Sequence, residues 1–126
     1  FTSAFERDLI PRLADATIKK APRFTDRQFE LAIPEVVCAF AKLQIQHRPL
    51  LKTIATLCQK KGVLTNMNDW GLCALTWSYA EVFQDAEFSE LRKSLREEVA
   101  RRGLSEERIS QSRAGPDVWS LRLAPA

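Results

Sequence analysis

The chain has 126 residues, a formal net charge of +3, 45% hydrophobic and 28% charged residues. That suffices for one domain with a real core, and the balance is ordinary for a globular protein rather than a disordered or fibrous one. No apolar run approaches the ~18 residues of a membrane span and no signal peptide is visible. The charge is uneven. Residues 1–65 hold 11 Lys/Arg against 6 Asp/Glu, and residues 66–126 hold 8 against 10. This basic bias at one end is too mild to mark a nucleic-acid-binding protein by itself. A chain that opens on Phe1 rather than Met reads as a fragment or a processed form.

The first helix has two possible starts. Ser3-x-x-Glu6 is a capping-box pattern, and Asp8 precedes the first periodic apolar residue. Pro11 favours the second, because proline is tolerated in a first turn and disruptive deeper in. Leu9, Ile10, Leu13, Ala16 and Thr17 form its apolar face, which ends at Lys19-Lys20. After a break at Ala21-Pro22-Arg23-Phe24, Thr25-x-x-Gln28 opens a second helix that runs to Leu43, with Pro34 predicted to kink or divide it. Pro49 begins a third, with Leu50, Leu51, Ile54, Leu57 and Cys58 inward and a stop at Gly62. Thr65 or Asn66 is the expected cap of the next helix, centred on Trp70–Val82 and apolar around most of its circumference. Such a helix must be covered on more than one side, so it is predicted to form a middle layer. Ser89 then caps a helix carrying Leu91, Leu95 and Val99, closing at Arg101-Arg102-Gly103, and Ser105 starts a last one to about Ser112. Beyond Gly115-Pro116, Trp119, Leu121 and Leu123 alternate with polar residues. This tail reads as an extended segment or as the start of a further repeat.

These helices repeat. Moved by 39 residues, Leu31, Ile33, Phe40, Ala41 and Leu43 fall on Trp70, Leu72, Tyr79, Ala80 and Val82. Moved by 41, Leu9, Leu50 and Leu91 align, as do Leu13, Ile54 and Leu95, and the basic pairs Lys19-Lys20, Lys60-Lys61 and Arg101-Arg102. A tandem of helix pairs with a period of about 40 residues predicts an all-α chain, a right-handed α-solenoid of antiparallel helix pairs. About two and a half pairs occupy residues 1–114, and residues 115–126 are the tail.

Several repeat families have such a period. The wording of the helix that ends Ala39-Phe40-Ala41-Lys42-Leu43, echoed in Trp77-Ser78-Tyr79-Ala80-Glu81-Val82, resembles the "Trp-Ala-Phe-Ala-Lys-Leu" helix of the octotricopeptide-repeat and FAST-kinase-like leucine-rich proteins of organelles. The resemblance covers roughly residues 9–110. It departs at Cys38, which stands where the family has tryptophan, and at Pro34, and these 126 residues contain no RAP domain. It implies an RNA-binding helical array acting on mitochondrial or chloroplast transcripts in maturation, stability or translation, with no kinase activity and no cofactor.

Function then rests on surface residues. The basic pairs Lys19, Lys20, Lys60, Lys61, Arg101 and Arg102 would form a row of positive charge along one edge, able to track a single-stranded RNA backbone. The competing account needs no ligand, since cations at a helix C-terminus are favourable to the helix dipole. Candidate base-reading positions lie near the starts of the other class of helix: Asp26, Arg27, Asn66, Asn68, Asp69 and Arg108. The rival reading is a protein-binding scaffold of a large organellar complex, with Phe83, Phe88, Trp119 and Leu123 as an exposed apolar patch. Catalysis finds no support. The one histidine, His47, has no nucleophile or acid at a motif spacing, and the four glycines form no phosphate loop. Cys38, Cys58 and Cys73 lie too far apart for metal ligation or a disulfide framework, and read as buried core residues. No metal and no small-molecule substrate is expected.

Overall fold

The computed structural model describes residues 4–121, with side chains for 8–119. Every regular element among them is helical: α1 (Ala4–Lys20), α2 (Asp26–Lys42), α3 (Arg48–Cys58), α4 (Val63–Asn66), α5 (Asp69–Trp77), α6 (Ser89–Arg102), α7 (Glu106–Gln111) and α8 (Pro116–Leu121). Short 3₁₀ turns at Ala21–Arg23, Ala86–Phe88 and Ser112–Ala114 join them, and α5 continues as a π-helical stretch over Ser78–Val82.

Local chemistry explains most of the starts and stops. Thr25 forms the full capping box of α2: its Oγ1 accepts from the Gln28 amide at 3.2 Å, and Gln28 Oε1 accepts from the Thr25 amide at 2.9 Å. Ser105 caps α7 by accepting from the Arg108 amide at 3.1 Å. His47 caps α3, its Nδ1 accepting from the Leu50 amide at 3.2 Å, with Pro49 in the first turn.

Other expectations are corrected. α1 begins at Ala4 rather than after Asp8, and Pro11 lies inside it on an exposed face. α2 is one continuous helix through Pro34, which is buried. Asn68, not Thr65 or Asn66, caps α5, accepting from the Gly71 amide at 2.7 Å. Thr65 and Asn66 belong to the extra turn α4, which starts from Gly62 in the left-handed conformation (φ 86°). Ser89 is no cap, because the 3₁₀ turn before it runs directly into α6. The tail is not extended over its described part but helical, as α8.

The middle-layer prediction for α5 holds. Trp70 through Thr76 are all buried. α5 packs on α2, on α6 and on α7, while α1 packs on α3. Two hydrogen bonds fasten its flanks. Trp70 Nε1 donates to the Ser112 carbonyl at 2.9 Å, and Tyr79 Oη, in the π-helical stretch, donates to the Leu51 carbonyl at 3.1 Å. Tyr79 also meets Phe83 and Phe88 edge to face, with ring centroids 5.8 and 5.3 Å apart. α2 and α5 approach tightly at Gly71. A Cβ there would lie 2.9 Å from Asn68 Oδ1, 3.0 Å from Pro34 Cγ and 3.1 Å from Met67 Cγ.

One buried cluster runs from Ala14 to Trp119. Phe83, Phe88 and Trp119 belong to it, at 0%, 1% and 3% exposed, so the apolar patch expected of them is not on the surface. Leu123 lies outside the described residues. The aligned leucines also part company: Leu50 and Leu91 are buried, whereas Leu9 and Leu13 are 47% and 45% exposed. The buried side of α1 is Ile10, Ala14, Thr17 and Ile18, so the helix is turned away from the expected face, and Ala16 is exposed along with Leu9 and Leu13. The three cysteines are buried and unpaired, one each on α2, α3 and α5.

Candidate nucleic-acid interface

The three basic pairs close α1, α3 and α6 in different ways. Lys19, Lys20, Lys60 and Lys61 are exposed and have no ion pair among the described residues. Arg102 is taken up inside the molecule. Its Nε donates to Glu98 Oε2 at 2.7 Å, one terminal nitrogen to Asp69 Oδ1 at 2.9 Å, and the other to the Leu64 and Thr65 carbonyls at 3.0 and 2.9 Å. Its side chain is 14% exposed, so it cannot belong to a solvent-facing row of cations. The planar guanidinium serves four acceptors here, which a lysine ammonium at the same place could not do in that geometry. Arg101 shares the same carboxylate, its Nε donating to Glu98 Oε1 at 3.0 Å, but its side chain stays exposed. The two guanidinium groups, Arg101 first, hold Glu98 down at about 2 from the ordinary 4.5.

Glu98 is the residue that separates the third pair from the others. One turn before Lys61 stands Leu57, and one turn before Lys20 stands Ala16. Lys20, Lys60 and Lys61 have no carboxylate at that step, and Asp15, one turn before Lys19, is paired with His47 instead, so the four lysines extend into solvent.

The candidate base-reading residues divide similarly. Asn68 is occupied as the α5 cap and Asp69 as a partner of Arg102. Arg108 clasps the tail. Its guanidinium lies 3.7 Å from the centre of the Trp119 ring and donates to the Trp119 carbonyl at 3.3 Å, while the Trp119 indole donates to the Arg108 carbonyl at 2.9 Å. These three are structural. Asp26, Arg27 and Asn66 remain exposed.

Asp26 and Asn66 meet Lys60 at one place. A cavity of about 120 Å³ lies between the start of α2 and the region where α3 gives way to α4. Phe24, Phe29, Leu57, Val63 and Met67 supply its apolar lining. Asp26, Glu30, Lys60 and Asn66 supply its polar groups. Asp26 and Glu30 are four apart on α2 and so share a face. Ala21, the neighbour of Lys20 in the chain, also lines it. Gly62 lets the chain turn tightly behind Lys60 and sits close to the Asn66 amide: a Cβ on it would lie 3.4 Å from Asn66 Nδ2. A second, more polar groove shares Lys60 and Gly62 with the first and extends past Thr65 and Ser94 to Glu97 and Arg101.

Glu30, Phe24, Phe29 and Met67 are the cavity residues that sequence reasoning missed. Glu30 carried a usable signal, its step of four from Asp26. The aromatic and methionine lining carried none, because apolar residues at helical spacing look the same in a core and in a pocket wall.

His47 Nε2 lies 3.9 Å from Asp15 Oδ1, and the Nδ1 of the same ring is committed to its cap. Burial pushes Cys58 up to about 12 and Cys73 up to about 11, and raises Cys38 too, so none is an activated nucleophile. Among the described residues no group of His, Cys, Asp and Glu could hold a metal ion, and no helix is long and apolar enough to cross a membrane. No family model, curated protein or solved structure matches the chain.

Proposed function

We propose that the chain is part of a helical-repeat array, an α-solenoid with a period of about 40 residues, that binds single-stranded RNA. The observation that carries this reading is the meeting of Lys60, Asp26 and Asn66, three polar residues from separate elements, around one apolar-lined cavity. Single strands are recognised by that combination: cations for the phosphates, apolar or aromatic surface for the base faces, and a few polar groups for the base edges. The packing of α1 on α3, α2 on α5 and α5 on α7 supports the repeat, since in these three cases a helix stacks on the member of its own class in the next pair. A place in organellar transcript maturation, stability or translation follows from the family resemblance of the Ala39–Leu43 wording and belongs to the same proposal. The scaffold alternative loses its surface, because Phe83, Phe88 and Trp119 are core.

The test is fluorescence anisotropy with mixed-sequence single-stranded RNA at 50 and 200 mM salt. It compares the chain with a variant carrying Lys19, Lys20, Lys60 and Lys61 changed to Gln. With about three phosphates neutralised, affinity should fall on the order of tenfold across that salt range, and the variant should lose most of the salt dependence. Arg102→Gln is the wrong probe, because it would unfasten α6 from α5. Binding that ignores the four lysines, or no binding at tens of micromolar, would sink the proposal.

A further inference from the structure

We infer that the cavity between α2 and α3–α4 is a pocket for one unpaired guanine base, with Lys60 placed for the adjoining phosphate. This rests on the RNA-binding reading and makes it specific.

A cavity of about 120 Å³ has room for one planar ring system and is well below the volume that a cofactor or drug-sized ligand fills. Its walls come next. Phe24 is only partly buried and lines the cavity together with Phe29 and Met67, so a flat apolar face can lie against ring and thioether surface. Phosphate and sugar are poor ligands for such walls, and a base is a good one.

The polar groups then choose among bases. Asp26 and Glu30 are carboxylates, which accept hydrogen bonds and donate none. They share one helix face and have no ion-pair partner among the described residues. They can therefore accept from donors on a ligand. The Watson–Crick edge of guanine offers two adjacent donors, N1–H and N2–H, which a carboxylate takes in a bidentate pair. Cytosine and adenine offer one amino group beside a ring acceptor that would face the carboxylate unfavourably, and uracil offers one N–H between two acceptors. Guanine also carries the O6 acceptor next to N1–H. Asn66 brings an amide donor to the same cavity, completing the pattern. Lys60 lines both the cavity and the neighbouring groove, so the strand has a cation where it would leave the pocket.

Met67 makes the test direct, because it is the chain's single methionine and lines the cavity. The chain is labelled with ¹³C-methyl methionine, and its one methyl signal is followed while guanosine, adenosine, cytidine and uridine 5′-monophosphates are added in turn. Ring-current displacement of that signal is expected with the guanosine nucleotide at about tenfold lower concentration than with the other three, a discrimination in the range of one bidentate base contact. Asp26→Asn should remove the preference while leaving the methyl signal of the free protein in place, since Asp26 is exposed. Lys60→Gln should weaken all four nucleotides alike.

Equal displacement by all four nucleotides, a guanosine preference that survives both Asp26→Asn and Glu30→Gln, or no displacement by any nucleotide would each overturn the inference. The RNA-binding reading fails separately, on the anisotropy experiment. Salt-sensitive RNA binding with a silent Met67 would leave that reading standing and remove the pocket.

Discussion

Glu98 is nearly enclosed, yet it is charged, because Arg101 and Arg102 both donate to it. Its proton affinity is therefore part of the folding equilibrium. The folded chain holds it at about 2 and the unfolded chain near the ordinary 4.5, so its contribution is fully present above about 4.5 and is lost as the pH falls through about 2. Asp85, lowered by the hydrogen bond from Arg48, acts in the same direction. The expected outcome is a urea-unfolding free energy that declines between pH 4.5 and 2, with a visibly shallower decline in Glu98→Gln and a lower plateau at pH 7. Identical acid slopes for the two proteins would show that the clasp does not bear on stability. The same carboxylate explains why a basic pair repeated three times plays two roles. Lys61 with Leu57 and Lys20 with Ala16 one turn earlier are surface charge, and Arg102 with Glu98 one turn earlier is an internal fastening.

At the scale of helices, the α2–α5 contact depends on Gly71 having no side chain. Alanine there would gain up to about 1 kcal/mol in helix propensity. Against this, its Cβ would meet the Pro34 ring at 3.0 Å and the Asn68 cap oxygen at 2.9 Å, and a proline ring cannot rotate out of the way. Overpacking costs ~1–3 kcal/mol, so it should win. Gly71→Ala is expected to lower the urea midpoint without changing the slope, and a raised midpoint would mean that the two helices have slack between them. The sequence made the caps at Thr25 and Ser105 legible because each is a contact between residues three apart. It did not make Asn68 legible, since Thr65 and Asn66 offered the same chemistry and only the packing of α4 decides between them. Pro11 and Pro34 misled for a related reason. A local rule prices a proline inside a helix, but not the tertiary contacts that hold the helix together regardless. Periodicity identified the buried faces of α3 and α6, but on α1 the residues turned inward are Ile10, Ala14, Thr17 and Ile18, because which side of a helix a neighbour covers is a property of the neighbour. Hence Leu50 and Leu91 are core and Leu9 is half exposed.

Over the whole molecule, the candidate site joins the start of α2 to the junction of α3 and α4, stretches more than 30 residues apart in the chain. Sequence reasoning found Lys60, Asp26 and Asn66 one by one, as a helix end and two helix starts. That they meet around one cavity depends on how the helices pack. The buried cysteines extend this view from structure to motion. One thiol sits on each of α2, α3 and α5, all enclosed, with Cys58 and Cys73 pushed up to about 12 and 11. A thiol-reactive dye attacks the thiolate, so at neutral pH each site can be labelled only during an opening that returns it to water. Labelling rates resolved by peptide mass analysis would thus time the exposure of three successive layers in one experiment. Cys38 and Cys73 should react together, at the rate set by global unfolding, because α2 and α5 are packed closely on one another, and Cys58 should react sooner, because α3 packs mainly on α1 and the single turn α4 and has less to break before it lifts. Three equal rates would instead mean that the helices open only as a single body.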